Sequence, residues 1–172
     1  MPGYVIHLAV AERYLKNHKN KKENYDEFIQ GVIFPDSVED KEKTHYGKGS
    51  SNSDLYKFLQ ENKIDNSFKR GYFLHLITDY LFYNYYIDTF SKDLYNDYDL
   101  LNKELINKYD VKLPQKIEKF VFYKEGNNFK ILNRELAHTV VKEISELDIE
   151  VVAKEVIEKP EKWTKIRKLK YI

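Results

Sequence analysis

The chemistry open to this chain rests on imidazole and carboxylate, because it has no cysteine and therefore no thiolate nucleophile or thiolate metal ligand. His75 and Asp79 stand in its most apolar stretch, Gly71-Tyr-Phe-Leu-His75-Leu-Ile-Thr-Asp79. Four residues apart, they lie about 40° from each other on one face of a helix. An ionisable pair in such a stretch must be satisfied, either by each other and their neighbours or by a metal. Three further residues are candidates to join them. His7 falls with Val10, Ala11 and Tyr14 on the inward side of a helix over 4–16. Asp36 closes the apolar run Val32-Ile-Phe-Pro35. His45 sits beside an aromatic and a glycine in Lys43-Thr-His45-Tyr-Gly47, placed by a loop instead of a helix. Taken singly, each has a plainer reading, as a core histidine for His7 and a turn cap for Asp36. The other two histidines drop out. His18 lies in the basic run from Lys16 to Lys22 and reads as a surface residue, and His138 faces away from its helix's apolar stripe, beside Arg134, Glu135 and Lys142, exposed and not a ligand.

As a set, imidazole plus carboxylate suits a hydrolytic Zn²⁺ site, with Mn²⁺ or Fe²⁺ also compatible. Asp36, His45, His75 and Asp79 fill about four positions on one ion. His7 is then available to a second ion, with Asp79 as the bridging carboxylate. Such a centre acidifies water and polarises a phosphoryl oxygen, which fits phosphoester hydrolysis by attack of metal-activated water on phosphorus. A carboxylate such as Asp36 serves as the base.

The positioning elements read as helices throughout. Residues 4–16 carry helical periodicity, and Tyr25 to Ile29 form a short helix stopped at Gly31. Residues 37–54 form one long polar loop, and Ser53 or Asp54 caps the next helix. A central buried helix runs over about 67–90, apolar nearly all the way round. Phe68, Tyr72, Phe82 and Tyr86 share the face of His75 and Asp79 on it, so Tyr72 and Tyr86 are candidates to line a substrate groove. Asp93 to Tyr109 is helical, and Gln115 to Tyr123 starts a further helix. The alternative there is a small hairpin near 120–132, where β-favouring residues flank Gly126-Asn-Asn128. Asn133 caps a helix with the stripe Leu136, Val140, Val141, Ile144 and Leu147. In the basic C-terminal segment, Trp163, Ile166 and Leu169 recur at helical spacing. They fit a terminal helix docked on the body, or a basic amphipathic helix on anionic lipid. The expectation is an all-α, single-domain bundle, a helical metal-binding domain over residues 1–172.

The order of the early histidine helix, the Phe-Pro-Asp36 after Gly31, the His45-Tyr-Gly loop and the Gly71-to-Asp79 segment resembles the zinc-dependent phospholipase C family. The resemblance covers roughly residues 1–90. It implies an all-α protein with Asp36, His45, His75 and Asp79 on one zinc, His7 and Asp79 sharing another, and a phosphoester or phospholipid substrate. The later histidines and the His-x-x-x-Glu of the secreted enzymes have no counterpart, since Lys142 stands four beyond His138. The chain also begins Met-Pro-Gly, where those enzymes use a processed tryptophan amine as ligand. One or two metals are therefore implied, not three.

Bulk properties narrow the field further. A net charge of +1 over 172 residues gives no electrostatic footprint for nucleic acid. The N-terminal residues lack signal-peptide character, and His75, Asp79, Asn84 and Asp88 argue against a membrane span over 71–90, so a cytoplasmic protein is expected. Two other classes remain open: a metal-binding helical domain without catalysis, and a helical interaction protein in which His75 and Asp79 are a satisfied buried pair.

Overall fold

In the computed structural model, which describes residues 3–165 and 167–171, the chain folds as an all-α protein. Helices α1 (Tyr4–Asn17), α2 (Tyr25–Ile33), α3 (Lys41–His45), α4 (Leu55–Glu61), α5 (Ser67–Leu81), α6 (Asp93–Tyr109), α7 (Arg134–Ser145) and α8 (Ile149–Glu158) follow in chain order. Short polar side chains start most of them. Asn24, Asp40, Asp54, Asn66, Asn133 and Asp148 each accept a backbone N–H from the turn they open. No helix among the described residues is long and apolar enough to cross a membrane.

α5 is the buried centre, with every residue from Gly71 to Tyr80 inside. It packs most extensively on α2, and two glycines explain how. A Cβ added to Gly71 would lie 2.0 Å from the carbonyl oxygen of Phe28, and one added to Gly31 would lie 2.0 Å from that of Phe68. The two backbones therefore touch reciprocally, which any larger residue forbids. Gly31 is not the expected helix stop, because α2 continues through it to Ile33. α5 also ends earlier than 90. It passes at Phe82 into a π-helical turn, Phe82–Tyr86, and leaves it extended at Ile87.

Three segments take other structures than their sequence suggests. The loop over 37–54 contains α3, capped by Asp40 and ended by Tyr46 at φ 60°, so His45 belongs to a short helix and not to a loop. Gln115–Phe120 forms a 3₁₀ helix, and no hairpin follows it. The backbone from 122 to 132 bonds mainly to α6, with one turn bond of its own from Phe129 N–H to the Asn127 carbonyl. The buried Asp97 carboxylate accepts the N–H groups of Lys130, Ile131 and Leu132 at 2.9, 2.7 and 2.8 Å. Asn102 donates to the Phe122 carbonyl, and Lys124 donates to that of Asp99. The tail docks as expected but not as a helix. Tyr80 donates to the carbonyls of Lys162 and Lys165, and Arg167 reaches Asn84 and Ile87. Trp163 packs on Tyr80 and Leu169 is buried, while Ile166 lies outside the described residues. Extended backbone then lets β2 (Lys170–Tyr171) pair in parallel with β1 (Thr89–Phe90), the strand pairing among the described residues.

Two substitutions test this account by urea denaturation. Gly71→Ala forces a methyl into a backbone carbonyl that no rotamer change can move, and is expected to cost on the order of 3 kcal/mol. Asp97→Ala strips the partner from three N–H groups and is expected to cost about 2–3 kcal/mol. Stability within ~0.5 kcal/mol of the parent, the range of an ordinary surface substitution, would refute either reading.

Candidate metal centre

The side chains of His7 (α1), Asp36, His45 (α3), His75 and Asp79 (both α5) converge in the interior, all buried. Three of them are held by contacts to backbone carbonyls. The glycine contact brings the His75 ring to α2, where Nδ1–H donates to the Val32 carbonyl at 2.7 Å. His45 Nδ1–H donates in the same way to the Lys41 carbonyl, one helical turn earlier, at 2.8 Å. Asp36 ends the 3₁₀ turn Phe34–Asp36, whose helical start suits Pro35. That turn is pinned from three sides. Tyr4 on α1 donates to the Asp36 carbonyl, Thr44 to that of Pro35, and Ser37 to that of Ile33.

These anchors fix the tautomers. A carbonyl only accepts, so Nδ1 carries the hydrogen in His75 and His45, and both Nε2 lone pairs point at the centre. The two Nε2 atoms are 3.3 Å apart. Asp79 Oδ2 lies 3.0 Å from His45 Nε2 and 3.1 Å from His75 Nε2, acceptor against acceptor. Asp36 closes the group, with Oδ1 3.5 Å from His45 Nε2 and Oδ2 3.7 Å from His75 Nε2. Imidazole and carboxylate acceptors packed this way repel, and only a shared cation or proton turns the contacts favourable. Four donors about 2.0–2.1 Å from one ion lie about 3.3 Å from each other, which is the spacing found here.

His7 occupies the other side of Asp79. Its Nε2 is 3.2 Å from Oδ1, the oxygen not facing His45 and His75, and its ring stacks on His75 at 3.7 Å. Asp79 thus offers one oxygen to each flank, the disposition of a bridging carboxylate. Two triads have donor atoms close enough to share an ion, Asp36–His45–His75 and His7–His75–Asp79. Both oxygens of Asp36 and Asp79 and both nitrogens of His7 make no hydrogen bond of proper geometry although buried. Orphaned acceptors at this density are costly unless a cation collects them. The residues fit a divalent ion.

The electrostatics agree. Burial pushes the Asp79 carboxyl up, but His75 and then His7 outweigh it and hold it well below the usual carboxylate range. Burial pulls His75 down, yet Asp79 and Asp36 leave it raised, while burial and the neighbouring His75 leave His7 lowered.

Comparison of the chain with family models, with curated proteins and with solved structures found no match.

Beside the cluster opens a cavity of about 640 Å³ whose walls include Asp36. Tyr4, Tyr95, Tyr98, Phe120 and Phe122 supply aromatic surface, and Lys41, Asp99 and Asn102 supply polar groups. Tyr72 and Tyr86 are not among these walls. Tyr72 is buried among Phe34, Phe58 and Phe68 and donates to the Thr44 carbonyl at 2.6 Å, so it braces α3 behind His45. Tyr86 lies in the π-helical turn beyond α5, half-buried. His138 is half-buried, not exposed, and bridges Tyr109 and Glu104 away from the cluster. His18 is half-buried too, stacked on Tyr14. Tyr98 and Lys41 are among the wall residues that sequence alone leaves unmarked as site residues. Lys41 carries one faint signal, its place four residues before His45.

Elemental analysis of the purified protein is expected to return about one to two equivalents of a transition metal, zinc first. Chelation should lower the thermal midpoint, and zinc at about 100 times its dissociation constant should restore about 2.7 kcal/mol. His75→Ala and Asp79→Asn should abolish both effects. Less than about 0.2 equivalents, with no stabilisation by added zinc, would refute a metal centre.

Proposed function

We propose that the chain is a metal-dependent hydrolase of phosphoesters, with zinc as the ion and manganese or iron(II) as compatible substitutes. One observation carries the proposal: Asp36 belongs both to the buried histidine–aspartate cluster and to the wall of the aromatic cavity. A substrate in that cavity would lie against Asp36, whose carboxylate turns inward to the histidines.

Asp36, His45, His75 and Asp79 would hold one ion, and His7 with the second oxygen of Asp79 would hold another. A divalent ion there supplies Lewis acidity, polarising a phosphoryl oxygen and making a neighbouring water a better nucleophile. The chain's own groups do the rest. Asp36 turns Oδ2 to His75 and His7 and Oδ1 to the gap between His45 and Lys41. Asp36 would take the water's proton as the water oxygen bonds to phosphorus, and would return it to the departing ester oxygen as the ester P–O bond breaks. The Val32 and Lys41 carbonyls keep His75 and His45 in the ligating tautomer. Tyr95, Tyr98, Phe120 and Phe122 offer an apolar, ring-lined surface to the ester's organic part, which favours esters with an apolar or aromatic group, phospholipids included.

Complete burial of the five donors favours a second reading, a closed structural ion with no open position. Turnover separates the two. Metal-loaded protein is expected to hydrolyse at least one of a chromogenic phosphomonoester, a chromogenic phosphodiester and a dispersed phospholipid. His75→Ala should lower the rate on the order of 100-fold or more. Metal-loaded protein inert towards all of them would overturn catalysis and leave the structural ion.

A further inference from the structure

Lys41 is the only cationic side chain among the described walls of the cavity, where the other charged residues are Asp36, Glu39 and Asp99. Three carboxylates repel a phosphate, so an anion can settle there only where positive charge gathers. Lys41 stands at that place. Its Nζ is 4.0 Å from Asp36 Oδ1, which is itself 3.5 Å from His45 Nε2. Its side chain is 38% exposed, so the ammonium sits at the boundary between the cavity and the buried donors. The same residue holds His45 through its backbone carbonyl, so the backbone that carries the ammonium also positions the imidazole.

From this juxtaposition we infer that Lys41 is the anion-binding residue of the site, gripping the phosphoryl oxygens of the substrate between its ammonium and the metal-binding cluster. The inference rests on the phosphoester reading and specifies its recognition step. An ammonium at this distance reaches a phosphate oxygen by a small rotation of a flexible stem, and three donor hydrogens let it follow the phosphoryl group as its geometry changes. The ester's organic part then points away from Lys41, towards Tyr95, Phe120 and Phe122. Lys41 is thereby a substrate-binding residue and not a metal ligand.

The test is calorimetric titration of inorganic phosphate into zinc-loaded full-length protein, which needs no turnover. Lys41→Ala is expected to weaken phosphate binding about tenfold at unchanged zinc content, and Lys41→Arg to stay within about threefold of the parent. Lys43→Ala is the control, because Lys43 pairs with Asp40 on the solvent side of α3 and is not a cavity wall. It should leave binding unchanged. Equal phosphate affinity in Lys41→Ala and parent, an equal loss in Lys43→Ala, or no phosphate binding by the parent would each overturn the inference. So would loss of zinc from Lys41→Ala with phosphate affinity per bound zinc unchanged, because Lys41 would then only neutralise Asp36. Phosphate binding through Lys41 in a protein that hydrolyses nothing would uphold the inference and remove the catalytic reading. Hydrolysis with unchanged KM and phosphate inhibition in Lys41→Ala would do the reverse.

Discussion

The contact on which everything else depends is the one without side chains, where α2 and α5 meet at Gly31 and Gly71. At that crossing each helix rests on a carbonyl oxygen of the other, a distance that side-chain packing cannot reproduce or adjust. It sets the depth at which the His75 ring enters α2 and lets its Nδ1 reach the Val32 carbonyl. It also sets where α2 ends and where Pro35 launches Asp36. Thr44 ties that turn to α3, and Tyr72 on α5 ties α3 back to the central helix. The cluster is thus closed by a ring of backbone carbonyls, each accepting one side-chain hydrogen. Such supports hold donor atoms far more firmly than a loop resting on solvent.

That firmness has an electrostatic consequence. Five ionisable side chains buried together would ordinarily shift, move apart or take up water. Here the outer nitrogens of His45 and His75 are committed to carbonyls, and their inner nitrogens face each other and Asp79 as acceptors at little more than 3 Å. The arrangement favours positive charge at its centre. A divalent ion would find the donors at the spacing they already have, without moving the backbone that aims them. Asp36 alone among the five also forms part of the cavity wall, so it is where the buried cluster adjoins the cavity.

Much of the helical order was legible in residue types. Caps such as Asn133 and Asp54, and stripes such as that of α7, placed the helices close to where they lie. The exceptions share a cause. Gly31 looks like a stop because glycine weakens an isolated helix, whereas its worth lies in what another helix can approach. Phe120 to Leu132 looks like a hairpin, but its N–H groups find the Asp97 carboxylate before they find each other. The tail has helical spacing, but Tyr80, Asn84 and Asp88 offer its backbone partners in extended form. In every case a partner distant in sequence outbid the local preference. The cavity followed the same rule. A helical wheel puts Tyr72 on the face of His75, but not against Thr44 instead of a substrate, and nothing local marks Tyr98 or Lys41 as walls.

The sequence by itself determined the kind of chemistry and its candidate carriers in one respect only, residue type: without thiols, inward-facing histidines and aspartates must be satisfied by each other or by a cation. It also determined the helical class, because apolar periodicity and polar caps are local properties of a chain. Tertiary structure alone decided that His7, Asp36, His45, His75 and Asp79, spread over 73 residues, point their free lone pairs at one place. It alone decided that the place adjoins an aromatic cavity with a lysine at its edge. Convergence and access are relations between helices, and here they are set by two glycine backbones in contact, which no local pattern encodes.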